Sequence, residues 1–369
     1  MRISLLESRE DFYRILKETL NNSSFFKEKS KERKEISFIV NKYLNFIATP
    51  KINSQVFQNL VNEYSNSLSW WKKIIQKVYV YLAVSNIFRK LFGNKLIELS
   101  TDFSEYLILG GNHRLRLFSN DLSFSVLLLK EKERVNYIKN DIDIRTNQTL
   151  SYAPVIYESG ADWLKEEYFT GTPLNRLKSK EVIDGFQKKA IKKHIKELLF
   201  FTKENWTKEE YFFFVKNEID LILNNKLLKK TAIEKNIIFS LIEVLLNRVT
   251  VNNISTSWTH GDFQMANILI RNNEFKVIDW ESANQRFYLY DIFTILGRVR
   301  TNISLLESIE SFKKEISYFL DIEITQDIII LILIEELRFS INEEYSENFY
   351  ISGIKTKEIF GSIQEYLNE

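Results

Sequence analysis

The sequence predicts an α+β protein with two lobes, a small antiparallel sheet and a larger helical lobe, preceded by a helical extension. The chain has 369 residues, which exceeds the usual span of one hydrophobic core. Short extended segments separated by turns run from about residue 104 to 172, and apolar residues at helical spacing precede and follow them. We therefore expect three regions, 1–100, 101–172 and 173–369.

The first region has helical apolar spacing in "FYRILKETL" and in "SWWKKIIQKVYVYLAVSNIFRKLF". The second of these segments is basic and aromatic, a composition that suits either a membrane surface or a helix docked on the rest of the protein. The apolar runs "VYVYLAVSNIF" and "IIILILI" are far shorter than the roughly 20 residues that span a bilayer, so we interpret both as core. The N-terminal residues lack a basic-then-apolar signal pattern, and we expect no secretion.

Composition excludes several classes of function. The 51 Lys and Arg residues nearly balance the 49 Asp and Glu residues, so we expect no general attraction for nucleic acid or for an anionic membrane, and any charged partner must be met locally. Cysteine is absent, which excludes disulfides, thiolate metal sites and cysteine nucleophiles and fits a cytoplasmic location. The three histidines, His113, His194 and His260, are too few for a His-rich metal centre.

The second region alternates short extended segments with turns. The segments "EYLILGG", "RLRLFS" and "SFSVLLLK" are followed by the helical "ERVNYIKNDIDIRTN" and then by "APVIYES" and "WLKEEYFTG". This order predicts a small antiparallel sheet with one helix. Helical spacing returns after "GTPL" and is interrupted by turn and strand at 258–281.

The interrupting stretch, "WTHGDFQMANILIRNNEFKVIDWE", places three polar residues at short intervals between apolar strands. If "NILI" and "FKVI" pair as a hairpin around "RNNE", Asn267 and Asp279 meet at its open end, close to the loop that bears Asp262. Asn267 and Asp279 suit Mg²⁺, which prefers oxygen ligands, and Asp262 is then available as a base for a hydroxyl. Either "HGD" or "IDW" alone is typical of a structural turn or strand end. Their combination, in this order, favours a functional site.

The segment "HGDFQMAN" resembles the H-x-D-x-x-x-x-N catalytic loop of the aminoglycoside phosphotransferase and choline kinase families, relatives of the protein kinases, and "IDWE" resembles the kinase D-F-G segment. The resemblance implies a protein-kinase-like fold, Asp262 as catalytic base, and Asn267 and Asp279 as Mg²⁺ ligands. It implies that His260 is a structural brace for the loop. In "FYLYDIF", Asp291 would be a buried residue that bonds the backbone of the loop, and an N-cap role for it is compatible with that.

Residues of the sheet region resemble the nucleotide-binding parts of these families more weakly. Gly110 and Gly111 resemble the glycine turn over the phosphates, although His113 and Arg114 replace the usual Ser or Thr and Asn; Arg114 is itself a candidate phosphate ligand. Lys130 ends an apolar strand, as the phosphate-binding lysine does.

Two assignments in this region stay open. Lys132 competes with Lys130, because the lysine begins the run "KEKER". Asp141 stands about where the families have a helix acid that holds this lysine, while Glu133 and Asp143 are alternatives; any of the three also fits a solvated helix face.

The segment "EEYFTGTPL" resembles the hinge of these families, in which Glu167, Tyr168 and Phe169 would flank an adenine. Gly171 and Pro173 stop the strand, as a lobe boundary requires. A simple strand-to-helix turn is the alternative.

The resemblance implies an ATP- and Mg²⁺-dependent phosphotransferase that acts on a hydroxyl of a small molecule, such as an aminoglycoside, a sugar or glycan, or a choline-like metabolite. One variant is a cell-envelope glycan kinase near a membrane, with the basic aromatic segment resting on the lipid surface. A nucleotide-binding pseudokinase or scaffold is the alternative from another class. A protein kinase is disfavoured, because no activation-loop and A-P-E-like stretch follows "IDWE".

Overall fold

The computed structural model describes most of the chain, and its α+β class agrees with the prediction. The described residues are 19–20, 23–25, 36–41, 46–48, 56, 58, 61, 69–84, 94–99, 106–110, 114–119, 121–129, 135–147, 150–223, 235–346 and 354–368. The chain divides into two compact units. We call them the sheet unit (Met1–Thr146 and Pro154–Thr170) and the helical unit (Asn147–Ala153 and Gly171–Glu369).

The sheet unit contains eight described strands and two described helices. They are β1 (Ile36–Asn41), β2 (Phe46–Ala48), α1 (Trp70–Val84), β3 (Asn94–Leu99), β4 (Tyr106–Gly110), β5 (Arg114–Ser119), β6 (Phe124–Leu129), α2 (Val135–Asn147), β7 (Ile156–Ser159) and β8 (Trp163–Glu167). The strands form one antiparallel sheet in the order β3-β1-β2-β4-β5-β6-β8-β7. Consecutive strands β4, β5 and β6 pair as a meander, and α2 connects β6 to β7.

Side chains from both faces of this sheet are buried. Successive side chains along each strand point to opposite faces, and those of β5 enter two different core clusters. On β5, Leu115 and Leu117 pack in one core cluster with Phe25, and Phe118 packs in another cluster, with Val80 of α1. Burying an apolar side chain of this size stabilises the fold by about 1.5–3 kcal/mol. The sheet is therefore the core of its unit.

The expectation of a helical segment through residue 100 holds for α1 and is wrong for β1, β2 and β3, which join the sheet. In "ISFIVN", Phe38 and Val40 are buried on one face and Ile39 is also buried. A strand buried on both faces shows no polar alternation, and so short a run cannot be told from a helix by spacing alone.

The helical unit consists of seven helices and two three-stranded sheets within the described residues, in strand orders β10-β11-β14 and β13-β12-β9. A π-helical turn, Ile195–Leu199, continues α3. The elements are β9 (Thr172–Pro173), α3 (Lys180–His194), β10 (Glu204–Thr207), α4 (Lys208–Leu223), α5 (Lys235–Arg248), β11 (Asn253–Thr259), β12 (Ile268–Arg271), β13 (Glu274–Val277), β14 (Asn284–Phe287), α6 (Tyr290–Leu296), α7 (Leu305–Glu315), α8 (Gln326–Ser346) and α9 (Ile354–Asn368).

The apolar run of α8 is core, as predicted, whereas the core interpretation of the run that begins at Val78 is only partly right, because Val80 and Ala83 are buried but Val78 and Tyr81 are exposed. Residues 329–334 of "IIILILI" are each at most 2% exposed. Among the helices that the structure describes, none is long and apolar enough to cross a membrane.

Candidate active site

A β-hairpin brings Asn267 and Asp279 to the same end of two strands. Strands β12 and β13 pair antiparallel, and their turn residues Asn272 and Asn273 have φ values of 47° and 66°. Such left-handed values at both central residues are typical of the two-residue hairpin turn whose twist matches that of the strands. At the open end, the Ile278 amide donates to the Asn267 carbonyl at 2.9 Å, and Asp279 follows directly. The predicted hairpin is confirmed.

The carboxylate of Asp262 is fixed by three side-chain donors. Its Oδ2 accepts from Gln264 Nε2 at 2.7 Å and from Asn267 Nδ2 at 3.0 Å, and its Oδ1 accepts from Arg300 Nε at 3.1 Å. The side chain remains 21% exposed. Donors on both oxygens restrict the rotation of the carboxylate while one side stays open to solvent, as a group that must meet a ligand requires.

Asn267 and Asp279 fit the requirements of a magnesium ion. Asn267 Nδ2 donates both to the Asp262 carbonyl (2.9 Å) and to its carboxylate, which turns the amide oxygen away from Asp262. Asp279 is exposed and has a left-handed backbone, with φ of 71°. The described residues contain no cluster of three or more His, Asp or Glu side chains suited to a metal. One amide oxygen and one carboxylate match the few protein ligands that Mg²⁺ uses beside phosphate and water.

His260 links the loop to the hairpin. Its Nδ1 accepts from the Asp262 amide at 3.2 Å, and its Nε2 lies 2.9 Å from the Ile278 carbonyl, to which it donates. Burial lowers the pKa of His260, although the charges of Asp291 and Asp262 act in the opposite direction. The ring is therefore neutral, with the proton on Nε2, and it fixes the loop backbone.

Asp291 is fully buried and holds the start of the loop. Its Oδ2 accepts from the His260 amide at 2.6 Å, and its Oδ1 accepts from the Gly261 amide at 2.9 Å. Burial alone would raise the pKa of Asp291, but the hydrogen bond and charge of His194 outweigh it and the pKa is lowered. The N-cap of α6 is Leu289, so the Asp291 carboxylate serves the loop.

Sequence reasoning missed His194, which completes this buried group. His194 Nε2 lies 2.7 Å from Asp291 Oδ2, and its Nδ1 lies 2.8 Å from the Tyr152 hydroxyl oxygen. The ring also stacks on Phe263, with centroids 4.1 Å apart. Its only sequence signal is a place on the buried face of α3, beside Ile191.

Sequence reasoning also missed Arg300, which holds Asp262 from a second side. Its guanidinium donates to Glu336 at 2.6 Å and to the Tyr290 hydroxyl at 2.9 Å, as well as to Asp262. It lies 3.9 Å from the centroid of the Phe339 ring. Because Arg300 is anchored by α6 and α8, the position of Asp262 depends on the helical core.

Gly261 has no room for a side chain. Its φ is +83°, and a Cβ would lie 2.3 Å from the Ser282 carbonyl oxygen. We expect Gly261→Ala to lower the free energy of unfolding by more than about 1 kcal/mol in urea titrations, because both backbone and packing oppose it. The matched control is Gly185→Ala in α3, where a Cβ meets nothing within 4 Å and should add about 0.5–1 kcal/mol. Equal stability of Gly261→Ala and wild type would contradict this account of the loop.

The predicted glycine turn and lysine are only partly described. Gly110 ends β4. Gly111, Lys130, Lys132 and Glu133 lie outside the described residues.

The predicted helix acid forms a buried ion-pair chain with arginines. Asp141 Oδ2 accepts from Arg114 Nη1 and its Oδ1 from Arg145 Nε, each at 2.6 Å, and Arg145 also bonds Glu166 at 2.7 Å. Burial would raise the pKa of Asp141, but the two arginines outweigh it and the pKa is lowered. Asp143, on the same helix, is half-buried. The described partners of Asp141 are two arginines, Arg145 one helical turn away and Arg114 at the start of β5, while the expected partner, Lys130, lies outside the described residues.

The predicted hinge coincides with the boundary between the units. Glu167 ends β8, and the aromatic residues Tyr168 and Phe169 follow, the latter buried. The chain leaves the sheet unit after Thr170 and enters the helical unit at Gly171.

No family model matches the chain, and no curated protein matches it. Solved structures are similar. A choline/ethanolamine kinase family protein from Mesorhizobium loti is 11% identical with a TM-score of 0.47, covering 80% of this chain and 95% of that one. A choline kinase from Streptococcus pneumoniae is 14% identical with a TM-score of 0.47, covering 71% and 90%. An ADP-bound aminoglycoside phosphotransferase is 16% identical with a TM-score of 0.43, covering 70% and 91%.

These structures come from the families that the loop motif resembles.

Proposed function

We propose that the protein is a kinase that transfers the terminal phosphoryl group of ATP, with Mg²⁺, to a hydroxyl of a small molecule. The observation that supports this most is the arrangement at the loop. Three donors orient the Asp262 carboxylate, and one of them, Asn267, is bonded through its carbonyl to the residue before Asp279. A base and two oxygen ligands thus belong to one connected structure.

In the proposed reaction, Asp262 accepts the proton of the acceptor hydroxyl as the hydroxyl oxygen bonds to the terminal phosphorus. The bond from that phosphorus to the departing ADP oxygen breaks, so the proton ends on Asp262 and the phosphoryl group on the acceptor. Asn267 Oδ1 and the Asp279 carboxylate would hold Mg²⁺, which when bound offsets phosphate charge. Arg300 keeps the Asp262 carboxylate in place.

The nucleotide would bind through residues of the sheet unit and hinge that the family resemblance names. Arg114 would contribute to positioning phosphate, with its guanidinium held by Asp141, to which the structure joins it in an ion pair. The full set is Gly110, Gly111, Arg114, Lys130, Asp141, Glu167, Tyr168 and Phe169.

A small acceptor fits the short connection after the proposed metal ligand. Between Asp279 and α6 the chain forms one 3₁₀ turn (Trp280–Ser282) and the four-residue strand β14. Protein kinases have a longer segment there for peptide substrates. Choline- and ethanolamine-like alcohols, aminoglycosides and sugars are therefore the first acceptors to test.

The test is ADP formation from ATP and Mg²⁺ over a panel of these acceptors, together with ATP binding by calorimetry. We expect Asp279→Ala to abolish the Mg²⁺-dependent part of ATP binding, because it removes a charged ligand of the ion. The matched control is Asp321→Ala, an exposed acid of the same unit, which should bind ATP as the wild type does.

An ATP affinity that neither chelation of Mg²⁺ nor Asp279→Ala changes would overturn the metal assignment. ATP binding without turnover of any acceptor would favour the alternative, a nucleotide-binding module without catalysis.

A further inference from the structure

Helix α1 of the sheet unit exposes a continuous apolar stripe. Its large apolar residues recur at the spacing of three and four that puts side chains on one face of a helix. Their exposed fractions are high: Trp70 75%, Trp71 49%, Ile74 52%, Ile75 58%, Val78 52% and Tyr81 73%. Contiguous exposure of this kind is typical of a binding surface.

The opposite face of the same helix is anchored in the core. Val80 and Ala83 are buried and pack in a cluster with Leu107, Leu109 and Phe118 of the sheet. The helix is therefore a fixed part of the sheet unit, and its apolar stripe points away from that core.

The charges around the stripe have one sign. Lys72, Lys73 and Lys77 are exposed on α1, and the helix contains no acidic residue. Lys72 Nζ lies 5.3 Å from the centroid of the Trp71 ring, so a lysine borders the stripe directly. The sequence then adds Arg89 and Lys90, and residues 69–93 contain no Asp or Glu.

We propose that α1 docks the protein on an anionic membrane surface. Trp and Tyr prefer the boundary between headgroups and acyl chains, and lysines beside an apolar helix face attract anionic lipid. At 15 residues the helix is too short to span a bilayer, so it lies in the plane of the surface. A second copy of the chain fits less well, because a symmetric contact would bring these like charges together.

The test is cosedimentation of the full chain with vesicles of phosphatidylcholine containing phosphatidylglycerol, compared with phosphatidylcholine alone. We expect binding to the anionic vesicles at low salt, weakened by high salt. The double variant Ile74→Glu/Val78→Glu should bind at least about ten-fold more weakly, because it places charge in the apolar stripe. The matched control is Phe213→Glu/Leu221→Glu, two exposed apolar residues of α4, which should bind as the wild type does.

Three results would overturn the proposal: no binding to anionic vesicles at low salt, equal binding by the α1 double variant, or a dimer in light scattering that this variant converts to monomers. The last would identify the stripe as an interface between copies. All four substitutions lie at exposed positions, and circular dichroism checks that each variant folds. The proposal is independent of the transfer reaction.

Discussion

Asp262→Asn is expected to slow phosphoryl transfer by about 10²- to 10⁴-fold, the usual contribution of a positioned general base. Asparagine keeps the shape of the side chain but cannot take up the acceptor proton. Because the proton moves only during the reaction, kcat and kcat/KM should fall together, while the affinity for ATP with Mg²⁺ is retained. Steady-state rates with the best acceptor of the panel and calorimetric ATP binding measure both quantities.

Two comparisons separate a lost base from a disturbed loop. Asp321→Asn makes the same chemical change at an exposed position and should leave the rate unchanged. Arg300→Met leaves Asp262 itself unchanged but removes one of the three donors that orient its carboxylate, so it should reduce the rate less than Asp262→Asn does. A wild-type rate in Asp262→Asn would eliminate Asp262 as the base and leave the metal assignment to be judged by the Asp279 variant.

Asp291→Asn is expected to cost about 3–5 kcal/mol in the free energy of unfolding at pH 7, as removal of one partner from a buried charged pair does. The carboxylate accepts from His194, His260 and Gly261 in a fully buried place. The side chain of asparagine has only one acceptor oxygen, and its NH₂ group would face N–H groups that now donate to the carboxylate. Urea unfolding checks the loss, with Asp321→Asn expected within about 0.5 kcal/mol of wild type.

The pH dependence of this loss has a definite sign. The pKa of Asp291 in the folded state lies below its ordinary value of 3.8, so the stabilisation by the carboxylate is complete above that value. As pH falls below 3.8 and through the folded pKa, protonation removes it. The difference between wild type and Asp291→Asn should therefore shrink as pH falls below 3.8. A difference that grows on acidification would show that Asp291 is not ionised in the folded protein.

The parts of the site that could be predicted from sequence are those made by neighbours along the chain. A hairpin with a two-residue turn is specified by about ten consecutive residues, and its register decides that Asn267 and Asp279 meet. The candidate role of Asp262 could be predicted from the same stretch, because its loop leads directly into β12. The residues that carry the proposed chemistry and the residues that form the hairpin are the same short stretch, so the sequence pattern alone was enough to predict their arrangement.

The residues that hold the loop in position, His194 and Arg300, come from distant segments, and no sequence motif marks them. His194 reaches Asp291 from α3, and Arg300 reaches Asp262 after a turn beyond α6. A histidine on an apolar helix face and an arginine in a polar turn are common in any sequence. Only tertiary packing decides which carboxylate each one meets.

In the sheet unit, short length hid the strands. β2 has three residues and β1 six, and both are stabilised by pairing with strands elsewhere in the sheet. The pairing of β5 with its neighbours also decides one partner of Asp141, because Arg114, a candidate phosphate ligand in the sequence, begins β5 and donates to that carboxylate.

The hydrogen bonds from the His260 and Gly261 amides to Asp291 also affect how readily these amides are exposed to solvent. A surface loop ordinarily exposes its amides to water through small local openings, at little cost in free energy. These two amides are buried and bonded to a carboxylate that α6 carries and His194 of α3 holds. Because opening the loop there breaks bonds that join it to two helices, we expect the His260 and Gly261 amides to be among the slowly exchanging amides of the helical unit.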